Sequence, residues 1–157
     1  MIFATVGTSD KSFERFIKAV DDLAATISEE IIIQRGFATY IPKNAKYFNF
    51  CPPTQMTSLI YQANIIISHA GFGIIGECIS KKKRLILIPR EKKFNEAVDN
   101  QVELAEYLAQ TTKGILCIRD VNQLKSAFDQ IDKITPDYQF VNRIPELIQN
   151  FIDRRLR

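Results

Sequence analysis

Asn64-Ile65-Ile66-Ile67-Ser68-His69-Ala70-Gly71-Phe72-Gly73-Ile74-Ile75-Gly76-Glu77 is the stretch from which the rest of the chain is read. The run Ile65 to Ile67 is β-branched and too short for a helix, so it predicts a buried strand. Gly71 and Gly73 allow a sharp bend and a close approach of the backbone to a ligand. The helix that follows points unpaired N–H groups and the positive end of its dipole out of the turn. Strand, glycine turn and helix N-terminus together form a phosphate-binding device.

Strand-like and helix-like segments alternate on both sides of this stretch. Upstream, Ile2 to Val6 predicts a first strand, and Gly7-Thr8-Ser9-Asp10 a turn with a helix cap inside it. Phe13, Phe16, Ile17, Val20, Leu23 and Ala24 recur at helical spacing, in a helix ending near Ser28. Glu30 to Gln34 predicts a second strand, apolar enough to be covered on both faces. After the Arg35 to Lys46 loop, Tyr47 to Phe50 predicts a third strand. Thr54 then caps a helix carrying Met56, Leu59, Ile60 and Ala63. Downstream, the helix after the glycines runs through Cys78 and Ile79 to a basic turn, Lys81 to Arg84. Leu85 to Ile88 is a buried strand stopped by Pro89. A polar loop from Arg90 to Ala97, a helix from Val98 to Ala109 and a strand from Gly114 to Ile118 follow. Asp120 caps a further helix through Leu124, Phe128 and Ile131. Pro145 opens a basic amphipathic helix over 145–157, ending in Arg154-Arg155-Leu156-Arg157.

This alternation predicts one α/β domain over residues 1–157. The fold is Rossmann-like, a mostly parallel sheet of about six strands with helices on both faces. Ligands of such sheets bind outside the C-terminal strand ends. Three loops lie there: Gly7 to Lys11, His69 to Gly76, and Pro89 to Ala97.

Composition narrows the functional classes. The chain has 157 residues, 46% of them hydrophobic and 25% charged, as expected of a globular domain able to bury its own core. A net charge of +3 is too mild to argue for nucleic acid. No apolar run approaches a bilayer span, and the first residues lack a signal-peptide layout. Cys51, Cys78 and Cys117 are odd in number and widely spaced, which predicts free cysteines in a cytosolic setting. There is no Asp-x-Asp and no His/Cys/carboxylate cluster at ligand spacing, so no metal site is expected.

Gly71-Phe72-Gly73-Ile74-Ile75-Gly76 is a literal G-x-G-x-x-G, and Glu91 lies about twenty residues on, where a dinucleotide fingerprint places a ribose-binding acid. An NAD-binding reading follows from those residues. Against it, the motif lies after about three strands, whereas the dinucleotide unit begins its fold. A basic turn soon interrupts the helix, and Pro89 throws Glu91 into a loop.

The flanks point elsewhere. Ile67-Ser68-His69-Ala70-Gly71-Phe72-Gly73-Ile74-Ile75-Gly76-Glu77 resembles the donor-nucleotide motif of glycosyltransferase family 28 C-terminal domains, roughly [S/T]-H-[A/G]-G-x-G-T-[I/L]-x-E. Further resemblances follow in order. They are Val6-Gly7-Thr8 with Phe13, Val20-Asp21-Asp22-Leu23, Ile32-Ile33-Gln34-Arg35-Gly36, Leu87-Ile88-Pro89-Arg90, and Glu96 with Val98-Asp99-Asn100-Gln101 and Leu104-Ala105. Together they cover most of residues 1–118. The resemblance implies the C-terminal half of a GT-B fold and a UDP-sugar as donor substrate, with no further cofactor. The chain is similar to the soluble subunits of split transferases of dolichol-linked, capsule and exopolysaccharide synthesis. That implies a membrane-anchored acceptor-binding partner subunit, a lipid-linked saccharide acceptor, and recruitment from the cytoplasm to the membrane face. The implied reaction is inverting hexosyl or N-acetylhexosaminyl transfer by a heteromer, without metal.

Carried onto this sequence, the backbone of Gly71, Phe72, Gly73 and Ile74 would line the diphosphate, with Gly7 at the same nucleotide-sugar site. Thr8 and Ser9 would donate to the diphosphate, or serve as plain helix caps, and Glu77 would take the ribose diol through its carboxylate. The same glycines also permit a ligand-free turn, and the same Glu a plain stabilising contact with the helix dipole. His69, the sole histidine, would act as a base or orient a phosphate, or be a structural residue. Arg90 would neutralise the leaving diphosphate, or be a solvated charge. Glu96, Asn100 and Gln101 would read sugar hydroxyls, or form a polar loop and helix start. Ile74 stands where the family pattern has Thr, and Ala97 where it has a His. These departures motivate a second reading, a non-catalytic accessory subunit.

Overall fold

The computed structural model describes residues 1–97 and 101–138. Six parallel strands form one sheet: β1 (Ile2–Thr5), β2 (Ile31–Gln34), β3 (Lys46–Phe48), β4 (Ile65–Ser68), β5 (Arg84–Leu87) and β6 (Ile115–Cys117). Their spatial order is β3-β2-β1-β4-β5-β6. The helices are α1 (Glu14–Ala24), α2 (Pro53–Gln62), α3 (Phe72–Ser80), α4 (Val102–Thr111) and α5 (Leu124–Ile131).

Strand alternation explains the two-sided core. Ile2, Ala4, Ile31, Ile33, Ile65, Ile67 and Ile86 face one way and pack with Phe16, Ile17 and Val20 of α1 and Leu124 and Phe128 of α5. Phe3, Ile66, Leu85, Leu87 and Ile115 face the other way, against Ile60 of α2, Ile75 and Cys78 of α3 and Ala105 of α4. Because side chains alternate with period two, central strands covered on both faces must be apolar throughout. The isoleucine runs supply that.

From β1 the chain first winds outward through β2 to β3, then crosses back to β4 and winds the other way. β1 and β4 are therefore neighbours, in register Thr5 opposite Ser68. The crevice beyond their C-terminal ends is the switch point where doubly wound sheets bind ligands.

Several expected details differ. The Gly7 to Ser12 segment is a loop, and α1 begins only at Glu14 without a side-chain cap; the Ser9 hydroxyl instead accepts a local turn bond from the Lys11 N–H. α2 starts at Pro53, since a proline loses nothing at the first helical position, so Thr54 is not its cap. β3 ends at Phe48, because the Asn49 carbonyl is taken by the Gly36 N–H and the Gln34 amide. α4 starts at Val102 with Gln101 as its N-cap; residues 98–100 of the expected helix lie outside the described residues. Asp120 accepts from the Asn122 N–H and caps a short 3-10 turn that leads into α5. Lys83 is not merely solvated, as it donates to the Tyr61 and Ala63 carbonyls at the end of α2. The helix expected over 145–157 lies outside the described residues.

No helix joins β2 to β3. Two carboxylates on α1 hold that connection instead. Glu14 accepts from the Thr39 and Tyr40 N–H groups. Asp21, fully buried, accepts from the N–H groups of Lys43, Asn44 and Ala45 and from the Tyr40 hydroxyl. Burial pushes the Asp21 carboxyl up, but these four donors outweigh it and hold it below the ordinary aspartate range.

Candidate functional site

The turn after β1 and the turn after β4 meet at the switch point around one imidazole. Gly7 has φ +74, a left-handed conformation open to glycine, and a Cβ there would stand 2.5 Å from His69 Cε1. Gly71 has an ordinary φ of −71. Its requirement is space, since a Cβ would stand 2.3 Å from His69 Nε2. Both glycines thus leave room for the Cε1–Nε2 edge of the ring. Nδ1 lies 3.4 Å from the Thr5 carbonyl and 3.5 Å from Ser68 Oγ, both long contacts. Burial, and then the positive charge of Arg90, push the His69 pKa down to about 4, against a weaker upward pull from the Thr5 carbonyl. The imidazole is neutral at physiological pH, and a group with that pKa is a weak general base there. The geometry makes His69 a spacer between the two turns.

Next to the ring the helix α3 begins. Its first intrahelical bond is Ile75 N–H to the Gly71 carbonyl. The N–H groups of Phe72, Gly73 and Ile74 precede that bond, and no side chain caps them. Phe72 is 81% exposed, and nothing lies within 4 Å of a Cβ added at Gly73, so the helix terminus is open to an anion. Ile74 turns its side chain to the core beneath α3. One turn on, Glu77 is half-buried, and among the described residues its carboxylate has no hydrogen-bond or ion-pair partner. Ala70, with φ 70, is held in the left-handed region between His69 and Gly71, a conformation disfavoured for a residue with a Cβ. Beside Phe72 a groove of ≈ 520 Å³ opens between α3 and α4, lined by Ile75, Ile79, Leu104 and Leu108.

The sheet brings Gly7, Thr8, His69, Gly71, Phe72, Gly73 and Ile74 together. Thr8 is exposed at the mouth. The Gly7 N–H, however, is taken by Thr5 Oγ1 and Gln34 Oε1, each at 3.1 Å. Gly7 therefore supplies room and not a donor.

Two expected site residues have buried partners of their own. Arg90 is 1% exposed, and its guanidinium donates to the carbonyls of Val6, Lys11, Ser12 and Glu96. It ties the loop after β1 to the loop after β5 and is not a solvated charge; its buried Nε has no partner among the described residues. Glu96 is 5% exposed and forms a two-pronged pair with Arg15, at 2.8 and 3.0 Å, so its carboxylate is not free for sugar hydroxyls. Gln101 is the N-cap residue before α4, its N–H 3.4 Å from the Arg90 carbonyl. Its buried Oε1 lacks a partner among the described residues. Asn100 lies outside the described residues.

The dinucleotide pattern fails on geometry. Glu91 is 4% exposed and paired with Arg119 at 2.7 Å and Lys93 at 3.0 Å. Gly76 has open space where that fingerprint needs close helix packing. Sequence reasoning gave no site role to Gln34, Glu14 and Asp21, whose long-range partners lie 15 to 29 residues away. Among the described residues no three His, Cys, Asp or Glu side chains could hold a metal ion, and no helix is long and apolar enough to cross a membrane.

A parallel sheet in this order, with an uncapped helix terminus at its switch point, defines a doubly wound, Rossmann-like α/β domain. The family described as glycosyltransferase family 28 C-terminal domain matches residues 1–146, and the chain belongs to that family. The human UDP-N-acetylglucosamine transferase subunit ALG13 is 34% identical over 118 residues, which is 68% of this chain and 10% of that protein. The chain thus spans about a tenth of the length of the curated relatives it matches. Among solved structures, the glycosyltransferase of kitacinnamycin superposes with a TM-score of 0.64 at 16% identity, over 84% of this chain and 34% of its own. Acinetobacter baumannii MurG superposes with a TM-score of 0.59 at 16% identity, over 83% of this chain and 41% of its own. These neighbours share the fold, that of GT-B glycosyltransferases.

Proposed function

We propose that this chain is the donor-binding, catalytic part of a UDP-sugar-dependent transferase. It delivers a hexose or N-acetylhexosamine to a lipid-diphosphate-linked acceptor, with a membrane-anchored partner supplying the acceptor site. The observation that carries the reading is the open N-terminus of α3 at the switch point, one turn before the unpartnered Glu77 carboxylate. In this reading the N–H groups of Phe72, Gly73 and Ile74 hold the diphosphate, and Glu77 accepts from the ribose diol. Gln101, with its unpaired Oε1, takes a sugar hydroxyl. The acceptor hydroxyl attacks the anomeric carbon as the bond to the β-phosphate oxygen breaks, giving inversion. Negative charge then grows on UDP, where the positive end of α3 stabilises it. The base comes from the partner or the acceptor side, because His69 is too weakly basic. The 34% identity to a protein named as a UDP-N-acetylglucosamine transferase subunit supports N-acetylglucosamine as the sugar. In the same reading the chain works at the cytoplasmic face of the membrane, recruited there through its partner.

The test is titration calorimetry with UDP. Glu77→Gln should weaken UDP binding about tenfold, the scale of one charge-assisted hydrogen bond, with no loss of stability. A wild-type chain blind to millimolar UDP would end the proposal. Ile74, which replaces a hydroxyl at the diphosphate with a core contact, favours a second reading, an accessory subunit without donor chemistry. In that case Glu77→Ala would leave the activity of the assembled transferase intact.

A further inference from the structure

We infer that Gln34 is the positioning residue of the switch point: its carboxamide fixes the Gly7 turn and, through it, the place of His69 and the entrance to α3. The inference deepens the UDP-binding reading and rests on it only for the ligand arm of the test below.

Gln34 ends β2 and is 1% exposed. A carboxamide has two donor hydrogens and two acceptor lone pairs, and here all four are used. Oε1 accepts from the Thr5 hydroxyl at 2.6 Å and from the Gly7 N–H at 3.1 Å. Nε2 donates to the Gly7 carbonyl at 2.8 Å and the Asn49 carbonyl at 3.0 Å. One side chain thus grips the N–H and the C=O of the same glycine and ties it to the end of β3.

That grip determines what lies across the crevice. Gly7 is left-handed and sits directly against the imidazole of His69. Gly71, the residue preceding the first turn of α3, sits against the same Cε1–Nε2 edge of the ring. The contacts form one chain, from Gln34 through Gly7 and His69 to Gly71. The ring has no short hydrogen bond of its own, its two nitrogen contacts on Nδ1 being 3.4 and 3.5 Å. Its place is set by the walls, and Gln34 holds one of them. With the Gly7 N–H consumed, an anion at the switch point is met by the α3 terminus and by Thr8, not by the β1 turn as a whole.

The experiment uses the full chain and its only histidine, whose ring signals are unambiguous in NMR. Gln34→Met keeps the bulk and removes all four bonds. In this variant the His69 titration midpoint should rise by at least one unit from about 4, and UDP affinity by calorimetry should fall at least tenfold. Phe128→Leu, a control on α5 in the opposite core, should lower stability while leaving both readouts where they were. If Gln34→Met does not fold, Thr5→Val removes two bonds at this turn, the one to Gln34 and the one from the Gly7 N–H, and should move the midpoint the same way by a smaller amount. A folded Gln34→Met or Thr5→Val chain with an unmoved His69 midpoint overturns the inference. If wild type ignores UDP yet the midpoint still moves, the UDP reading fails and the positioning role stands.

Discussion

Gly71→Ala tests the close packing around His69 by the sign of its effect. The φ of −71 and ψ of 137 at Gly71 suit alanine. On backbone grounds alone, the substitution should stabilise the chain by ~0.4–1 kcal/mol, by reducing the freedom of the unfolded state. The new methyl would stand 2.3 Å from Nε2, 2.8 Å from Cε1 and 3.3 Å from Cδ2 of His69. Carbon contacts are comfortable near ~3.5–4.0 Å, so the ring must retreat by roughly 1.2 Å or more. Gly7 crowds the same Cε1–Nε2 edge of the ring, which limits the room for that retreat. Overpacking of that kind costs ~1–3 kcal/mol, so the net effect is destabilising. In a His69→Ala background the ring is gone and the backbone term alone remains, so Gly71→Ala should become neutral or stabilising. Urea unfolding of the wild type, both single variants and the double variant closes the cycle. The coupling should reach ~1.5 kcal/mol or more, well outside the ~0.5 kcal/mol scatter of independent sites. Additive effects, or a stabilising Gly71→Ala in the wild-type background, would refute that packing.

Two further perturbations separate roles that look alike in the sequence. Asp21→Asn should cost about 2–3 kcal/mol in denaturant unfolding, because an amide placed there presents N–H groups to backbone N–H donors. The native Asp21 carboxyl is held below its ordinary range, so its stabilisation is fully present above that range and is lost as pH falls through the lower folded value. The wild type should therefore lose more stability than Asp21→Asn on acidification, and parallel curves would argue against the role. Arg90→Lys keeps the charge but cannot span four carbonyls with one ammonium. Loss of ~2 kcal/mol or more of stability is expected from the carbonyls left unpaired; unchanged stability with weakened UDP binding would instead give Arg90 a role at the diphosphate.

The sequence made the architecture legible because the signals were local. Ile65-Ile66-Ile67 followed by glycines can be little else than a buried strand entering a turn, and strand-helix alternation with period-two isoleucine runs leads to a sheet covered on both faces. The individual roles of charged residues were not legible. Arg90 reads as a cation on an active-site loop, yet its carbonyl partners at Val6, Lys11 and Ser12 lie nearly eighty residues or more upstream. Glu96 likewise pairs with an arginine 81 positions away. Nothing in the spacing of a loop records which carbonyls folding will bring beneath it. Gln34 was quoted only as part of a family-like strand end, because a glutamine's hydrogen-bonding capacity is visible in the sequence but its partners are not. The His69 environment falls between these cases. Adjacent Gly71 was visible, whereas the second wall, Gly7, becomes its neighbour only through the pairing of β1 with β4.

That pairing also sets a timetable for synthesis. Thr5 of β1 lies opposite Ser68 of β4, 63 positions later. At roughly 5–20 residues per second on the ribosome, β1 waits about 3–13 s for the strand that closes one of its two edges. During that wait it presents Ile2, Phe3 and Ala4, residues that end up wholly buried, and an unpaired row of backbone amides. The pairing at the centre of the sheet is thus the one that waits longest for its partner during synthesis.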